Sequence, residues 1–150
     1  MTTLNSPVPE LDRLQTLAAF RYELRKFLHF SEQRALEAGL HPQQHQLMLQ
    51  IAGAPQGTLI TISYVAERLG LKHHTAVELS KRCEESGLLR RANDGEDRRR
   101  VVLDLTAFGR KTLAKLSEDH EHELYQLAPE MIRTLSRIRN AYSAATGGQR

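Results

Sequence analysis

The chain contains 150 residues and carries a formal net charge of +3 at pH 7. This length suffices for one domain that buries roughly 70% of the surface of its unfolded chain, so we predict a single domain over residues 1–150. The single cysteine excludes an intramolecular disulfide framework. The start lacks the basic and apolar regions of a signal peptide, and no apolar run approaches the roughly 20 residues of a membrane span. We therefore expect a cytoplasmic protein that has no membrane partner.

The first predicted element is a long amphipathic helix. Apolar residues recur at three- and four-residue steps up to Gly39, namely Leu11, Leu14, Leu17, Phe20, Leu24, Phe27 and Leu28. A helix of about 28 residues is roughly 40 Å long, which is the full width of a compact globule of this size. One end is therefore expected to project, and its apolar side then needs a partner.

Three shorter helices are predicted next. They run from Pro42 to the Gly53–Gly57 segment, from Ile62 to Leu69, and from about Lys72 to Ser86. Thr61 is expected to cap the middle helix, because its hydroxyl can accept a hydrogen bond from the first turn. Gly70 permits a tight turn between the last two helices, and Gly87 permits the left-handed conformation of a helix terminus.

A hairpin and two further helices complete the prediction. The strands are expected at Leu88–Arg91 and Arg99–Leu105. Asn93-Asp94-Gly95-Glu96 between them is a turn sequence. Thr106 is expected to cap a fifth helix through about Leu127, and Pro129 to open a sixth.

This order of elements is the layout of a winged helix-turn-helix. In that motif the second helix of the pair fits the major groove of DNA, and the hairpin, or wing, reaches the minor groove or the backbone. We therefore predict double-stranded DNA as a partner, which the positive net charge also favours. The candidate DNA contacts are Lys72, His73, His74, Thr75, Arg82, Arg98, Arg99 and Arg100.

The alternative for these residues is a solvated helix end and a solvated charge run balanced by acidic neighbours. We favour DNA contact, because hairpin tips rarely gather three guanidinium groups without an anion to meet. Asp97 and Arg99 lie two residues apart on the predicted strand, so they project from one face. An ion pair between them is expected to hold the arginine in place.

The chain resembles the bacterial multiple-antibiotic-resistance regulator (MarR) family, most clearly around the hairpin. The motif is Asp97-x-Arg99, then five residues, Leu105-Thr106, two residues and Gly109, preceded by Gly87-Leu88-Leu89-Arg90-Arg91. The resemblance covers residues 10 to 145. It implies a mainly α fold and a triangular homodimer, with dimerisation helices at 10–39 and 107–145 around a winged helix-turn-helix lobe at 42–105. It also implies a cytoplasmic repressor of bacterial type that binds a palindromic operator and is relieved by a small-molecule effector.

The resemblance also implies where an effector binds. His29 and His45 fall in the region where, in the family, the dimerisation helices meet the DNA-binding lobe and enclose a ligand pocket. They are the candidate pocket residues, with a buried, hydrogen-bonded histidine as the alternative. Relatives often have a Thr or Ser cap at the place of His41 and a larger aromatic residue near His45.

Metal binding and catalysis have weaker support. Glu118, His120 and His122 offer side-chain pairs at ligand-compatible helical spacing, and a zinc-responsive branch of the family exists. A solvated helix middle is the favoured interpretation, so we expect no required metal or cofactor.

The chain has no nucleophile elbow, phosphate-binding glycine loop, CxxC pair or HExxH helix, so we expect that it is not an enzyme. The alternatives to a ligand-responsive repressor are a winged-helix protein interaction module without DNA binding and a metal-responsive regulator.

The single cysteine is predicted to be structural. The peroxide-sensing branch of the family uses a reactive cysteine in the first helix, and this chain has none there. Cys83 instead occupies an apolar position of the fourth helix, where relatives bury a leucine.

Overall fold

A computed structural model describes residues 10–146 of the chain. The described part contains the helices α1 (Glu10–Glu37), α2 (Pro42–Ala52), α3 (Ile62–Leu69), α4 (His73–Glu85) and α5 (Ala107–Thr146), and the strands β1 (Leu89–Asn93) and β2 (Val101–Leu105). The two strands form an antiparallel hairpin. The predicted mainly helical, winged helix-turn-helix fold is confirmed. None of the helices described is long and apolar enough to span a membrane.

The chain divides into two compact units. The first, termed the helical unit, contains the described residues up to Phe30 and from His120 onward. The second, termed the winged unit, is Ser31–Asp119 and contains α2, α3, α4, the hairpin and the adjoining ends of α1 and α5. The predicted lobe at 42–105 therefore lies entirely within the winged unit.

The winged unit has a continuous hydrophobic core to which all of its elements contribute. Its buried members are Ala35, Leu40, Leu47, Met48, Ile51, Ile62, Val65, Ala66, Ala76, Leu79, Cys83, Leu88, Leu89, Leu103, Leu105, Leu113 and Leu116. Burial of one large aliphatic side chain contributes about 1.5–3 kcal/mol. The helix pair α3–α4 and the hairpin are thus fixed to a common core, which sets where their exposed faces lie.

The predicted turns around α3 and α4 are confirmed. The Thr61 hydroxyl oxygen accepts a hydrogen bond from the Tyr64 backbone N–H at 3.2 Å, which caps α3. Gly70 ends that helix in the left-handed conformation with φ of 64°. Gly87 follows the end of α4 with φ of 72°. Both glycines adopt a conformation that a side chain would strain.

His41 caps α2, although its side chain is not one of the common capping residues. The imidazole Nδ1 accepts from the Gln43 backbone N–H at 3.3 Å, and the Gln44 side-chain oxygen accepts from the His41 backbone N–H at 2.9 Å. This reciprocal arrangement is a capping box. The histidine thus supplies the acceptor that a Thr or Ser would supply in a relative.

The prediction of a separate sixth helix beginning at Pro129 is wrong. A single helix, α5, runs from Ala107 to Thr146 with Pro129 inside it. Proline lacks the N–H that would bond to the carbonyl four residues earlier, here that of Tyr125, and this cost suggested a break. The helical spacing of buried Leu127 and Thr134 nevertheless continues across the proline, so packing favours one helix despite the missing hydrogen bond.

The predicted hairpin is correct in kind, but its strands are shifted. The Leu88 backbone N–H donates to the Cys83 carbonyl at 2.9 Å, so Leu88 belongs to the terminus of α4 and β1 begins one residue later. At the other end Asn93 still pairs with Val101. The predicted second strand began at Arg99, which instead lies in the loop. Smaller shifts place the end of α1 at Glu37 and the start of α4 at His73.

Candidate nucleic-acid interface

The first turn of α4 points to solvent because the next turn is anchored in the core. Ala76 is fully buried and Leu79 is 5% exposed. Lys72, His73 and His74 just before them are exposed, and Thr75 is half-buried. Lys72 is the N-cap residue and makes no side-chain capping hydrogen bond. The predicted residues thus form one exposed, basic and hydrogen-bonding helix start, where backbone N–H groups also favour an anion.

Arg82 lies apart from that group. It is exposed in the last turn of α4, about 15 Å along the helix from Lys72 at 1.5 Å per residue. A cation is favoured there by the helix dipole. The role of Arg82 as a contact to the DNA backbone stays a prediction.

The wing is secured to the core by the inner side of β2. Leu103 and Leu105 are each 1% exposed. The Leu103 backbone N–H also donates to the Ile60 carbonyl at 2.9 Å, and Thr61 forms a bridge with Val102. The segment before α3 thus pairs with β2 through an isolated bridge. The sequence prediction did not include this pairing.

The expected ion pair between Asp97 and Arg99 is wrong. Both residues lie in the loop beyond the strands, so the two-residue strand alternation that suggested the pair does not apply. The Asp97 carboxylate instead accepts from the Arg99 backbone N–H at 2.9 Å, as aspartates do in turns. Its carbonyl accepts from the Arg100 backbone N–H at 3.0 Å. Asp97 therefore shapes the loop and leaves the Arg99 guanidinium unengaged by that carboxylate.

The three wing arginines are not equivalent. Arg100 pairs with Asp94, with 2.5 Å between the guanidinium Nη2 and the carboxylate Oδ2. Arg98 and Arg99 lie at the turn of the loop, are exposed, and form no ion pair within the described part of the chain. The wing thus exposes the guanidinium groups of Arg98 and Arg99, whereas that of Arg100 is paired within the wing.

Two hydrogen bonds that the sequence prediction missed tie the C-terminal end of α4 to neighbouring elements, one through Glu84 and one from Thr106 to Gly87. The Glu84 carboxylate accepts from the Arg91 backbone N–H at 2.7 Å, which joins α4 to β1. The Thr106 hydroxyl donates to the Gly87 carbonyl at 2.6 Å and accepts from the Gly109 N–H at 3.0 Å. Thr106 thus confirms its predicted capping role and also fastens α5 to the end of α4. The sequence carries no signal for these partners, because both depend on how the chain reverses at Gly87.

The candidate pocket histidines have different environments. His45 is buried in the winged unit, with its Nδ1 3.4 Å from the Gln46 amide nitrogen. His29 is exposed on α1 in the helical unit. Neither lines the apolar cleft between the start of α1 and the end of α5 in the helical unit. Their role as effector contacts stays a prediction.

The acidic and histidine cluster on α5 gains no support as a metal site. Among residues 10–146, no group of three His, Cys, Asp or Glu side chains is placed to hold a metal ion. His120 instead lies edge-on to Phe27 and Phe30, with ring centroids 6.1 and 5.7 Å apart. Glu118 and His122 are exposed on the helix surface.

The helical unit contains an apolar cleft between the first turns of α1 and the last turns of α5. Its volume is about 480 Å³, and its lining includes Leu17, Ile138, Ala141 and Tyr142. The Arg137 guanidinium donates to the Asp12 carboxylate across it at 2.6 Å. The cleft is therefore an apolar surface crossed by one ion pair.

Cys83 is fully buried in α4, which agrees with the structural role predicted for it. Burial raises the pKa of its thiol to about 12. The reactive thiolate is therefore scarcer at neutral pH than in a free cysteine, whose pKa is about 8.5.

We expect native Cys83 to resist alkylation at pH 7.5 and to react rapidly only in denaturant. Replacement by Ala should leave DNA affinity, and its response to peroxide, nearly unchanged. Mass spectrometry after timed alkylation measures the first expectation, and binding assays with and without peroxide measure the second. A peroxide response that disappears in Cys83→Ala would contradict the structural role.

Comparisons with known proteins agree with this geometry. The model of the MarR family matches residues 38–100, which run from just before α2 to the loop of the wing and end before β2. The HTH-type transcriptional regulator Hpr of Bacillus pumilus is 32% identical over an alignment of 96 positions, covering 55% of this chain and 46% of the relative. The chain thus spans about half the length of the Hpr relatives it matches.

Two solved structures have the same fold over most of the chain. AbsC, a MarR family transcriptional regulator from Streptomyces coelicolor, superposes with a TM-score of 0.68 at 20% identity, covering 99% of this chain and 100% of AbsC. MepR of S. aureus, solved as a DNA complex, superposes with a TM-score of 0.68 at 18% identity, covering 85% of this chain and 94% of MepR. The Asp97-to-Gly109 motif, the family model matched over residues 38–100 and this fold thus make the chain similar to regulators of the MarR family.

Proposed function

We propose that this protein is a DNA-binding transcriptional regulator. The observation that carries the proposal is the placement, on one winged unit, of an exposed basic start of α4 and a wing that presents Arg98 and Arg99. A helix start of this kind matches the major groove, and a hairpin beside it can reach the adjacent backbone or minor groove. The structure of MepR bound to DNA supports the same use of this fold.

A gel shift with DNA selected from a random duplex library by the wild-type protein tests this proposal. We expect retained sequences to share an inverted repeat, whose half-sites lie about one helical turn or 34 Å apart. His73→Ala/His74→Ala should relax the preference at the bases contacted, while Arg82→Ala should weaken binding to all sequences. Enrichment of no sequence would favour a winged-helix protein interaction module instead.

We propose further that the protein acts as a homodimer through its helical unit. Large apolar side chains are exposed on both helices of that unit: Leu14, Leu17, Tyr22 and Leu28 on α1, and Leu124, Tyr125, Ile132, Leu135 and Tyr142 on α5. At 100° per residue, Leu14, Leu17 and Leu28 fall within about 60° of one another around α1. A second copy of the chain can cover this surface, because in an isologous interface the same patch of each subunit contacts that of the other.

Light scattering should therefore return a mass of twice 17.0 kDa. Ile132→Glu/Leu135→Glu should weaken dimerisation at least about tenfold, because carboxylates would enter an apolar interface, while helix content is retained. Gln126→Glu, exposed on another side of the same helix, is the control and should leave the dimer intact. A stable, folded monomer of 17 kDa at micromolar concentration would remove this architecture.

The regulatory part of the proposal is repression relieved by a small-molecule effector. It is supported by the similarity to the MarR family, with His29 and His45 as candidate contacts. A library screen for compounds that release the protein from its selected DNA tests it, with a zinc titration as the arm for a metal-responsive regulator. Release by zinc, but by none of the compounds, would favour the metal-responsive regulator.

A further inference from the structure

The loop of the wing is closed at its base by a cross-strand pair, Asp94 and Arg100. This pair is termed the neck of the wing. The ladder of β1 and β2 ends with Asn93 opposite Val101, so Asp94 and Arg100 form the next rung. The Asp94 backbone N–H donates to the Arg100 carbonyl at 2.9 Å, and their side chains meet at 2.5 Å. Residues 95–99 form the loop that this rung closes.

The charged groups of Asp94 and Arg100 interact with each other, and the Asp94 carboxylate also bonds to the loop. The Asp94 side chain is only 16% exposed and the Arg100 side chain 46%. The second Asp94 carboxylate oxygen accepts from the Glu96 backbone N–H at 3.3 Å. A guanidinium held by a shielded carboxylate retains little of the charge that it could offer to a phosphate, and moving it would leave that carboxylate without its partner.

Resting on the proposed DNA-binding function, we propose that Arg100 is a positioning residue rather than a DNA contact. Its pair with Asp94 holds the loop in the conformation that presents Arg98 and Arg99. The sequence prediction placed Arg100 among the DNA contacts; the proposal moves it from that set to the support of the other two. The wing then offers two guanidinium groups to each half-site.

The role of Asp94 separates this proposal from simple electrostatics. Asp94→Ala removes a negative charge from a surface that faces DNA, so charge alone predicts tighter binding. If the pair positions the loop, the same substitution weakens binding, because ordering the loop on DNA then costs conformational entropy. The two views therefore predict effects of opposite sign.

Glu96→Ala is the matched control. It removes one negative charge from the same loop, but Glu96 contributes to the neck through its backbone N–H, which the substitution keeps. Its effect on affinity measures the general influence of charge. Asp94→Arg/Arg100→Asp restores the pair with its partners exchanged and serves as the rescue.

Affinity for the selected operator is measured across a salt series. We expect Asp94→Ala to bind about two- to fivefold more weakly, the range of an ion pair of this exposure, with an unchanged slope of log K against log salt. Glu96→Ala should bind as well as wild type or better, and the exchanged pair should recover most of the affinity. Arg99→Ala, as the positive control for a contact, should lower the slope. Tighter binding by Asp94→Ala, equal to that of Glu96→Ala, would overturn the proposal.

A measurement without DNA keeps this outcome distinct from failure of the proposed function. Amide exchange at Arg98 and Arg99 should accelerate in Asp94→Ala and not in Glu96→Ala. If wild-type protein binds no DNA but exchange responds in this way, DNA binding fails and the ordering role of the neck stands. If exchange does not respond, the neck does not order the loop and the proposal fails, whatever the protein binds.

Discussion

Gly109→Ala is expected to destabilise the protein by about 2 kcal/mol or more, although alanine normally stabilises a helix relative to glycine. A Cβ at this position would lie 2.0 Å from the Leu88 carbonyl oxygen and 3.0 Å from its carbonyl carbon. Both are backbone atoms, and that oxygen already accepts the Thr106 N–H at 3.1 Å. The helix-propensity gain of about 1 kcal/mol is smaller than the cost of forcing apart two backbone segments at this distance, about 3 kcal/mol or more.

The effect follows from where Gly109 lies. The first turn of α5 crosses the turn after α4 at backbone contact distance, and Thr106 bonds to both sides of that crossing. Separation of the two segments would break these bonds and shift α4 relative to the wing. Urea unfolding followed by circular dichroism measures the change in free energy of unfolding.

Gly95→Ala is the control for Gly109→Ala. A Cβ at Gly95 would meet no atom within 4 Å, and its φ lies outside the left-handed region, so we expect a change within about 0.5 kcal/mol. A Gly109→Ala variant that is as stable as wild type, or more stable, would show that the close approach is not present in solution.

The sequence predicted elements whose causes are local. Thr61, Gly70 and Gly87 each fix a helix boundary through their own conformation or hydrogen bond, and such rules act over three or four residues. The boundaries of α3 were predicted to the residue for this reason. The exposure of Lys72 and His73 also followed, since the apolar spacing of Ala76 and Leu79 decides which side of α4 is buried.

The errors occurred where a nonlocal interaction outweighed a local rule. Pro129 is a helix breaker by its own chemistry, yet the packing of residues on either side keeps α5 continuous. Asp97 and Arg99 were paired on the assumption of a strand, whereas the true closure of the wing is set by Asp94 and Arg100, six residues apart. Which of the adjacent arginines pairs with which acid depends on hairpin register, and the composition of the loop does not specify it.

Arg98→Ala/Arg99→Ala is expected to cause the largest decrease in DNA affinity with little change in stability. Both side chains are exposed and form no ion pair in the described part of the chain. Val101, Leu103 and Leu105, which hold the wing to the core, are untouched. The melting temperature and the dimer mass should therefore stay near those of wild type.

The salt dependence of binding identifies what the two arginines touch on DNA. Removal of one arginine–phosphate interaction should reduce the steepness of log K against log salt by about 0.9. A dimer has two wings, so removal of four such interactions would reduce it by about 3.6. Lys115→Ala, which removes an exposed positive charge from α5, is the control and should leave the slope nearly unchanged.

Single variants at Arg99 distinguish the contribution of its positive charge to DNA binding from that of its side-chain shape. If Arg99 enters a narrow minor groove, Arg99→Ala should also remove a preference for A·T-rich flanking sequence, because such tracts narrow the groove and deepen its negative potential. Arg99→Lys should recover only part of the affinity, since an ammonium group is more strongly hydrated than a guanidinium and lacks its planar donor pattern. If the double variant binds the selected operator with wild-type affinity across the salt series, the wing is not a DNA contact. The winged-helix protein interaction module would then account better for a hairpin that exposes two arginines at its turn.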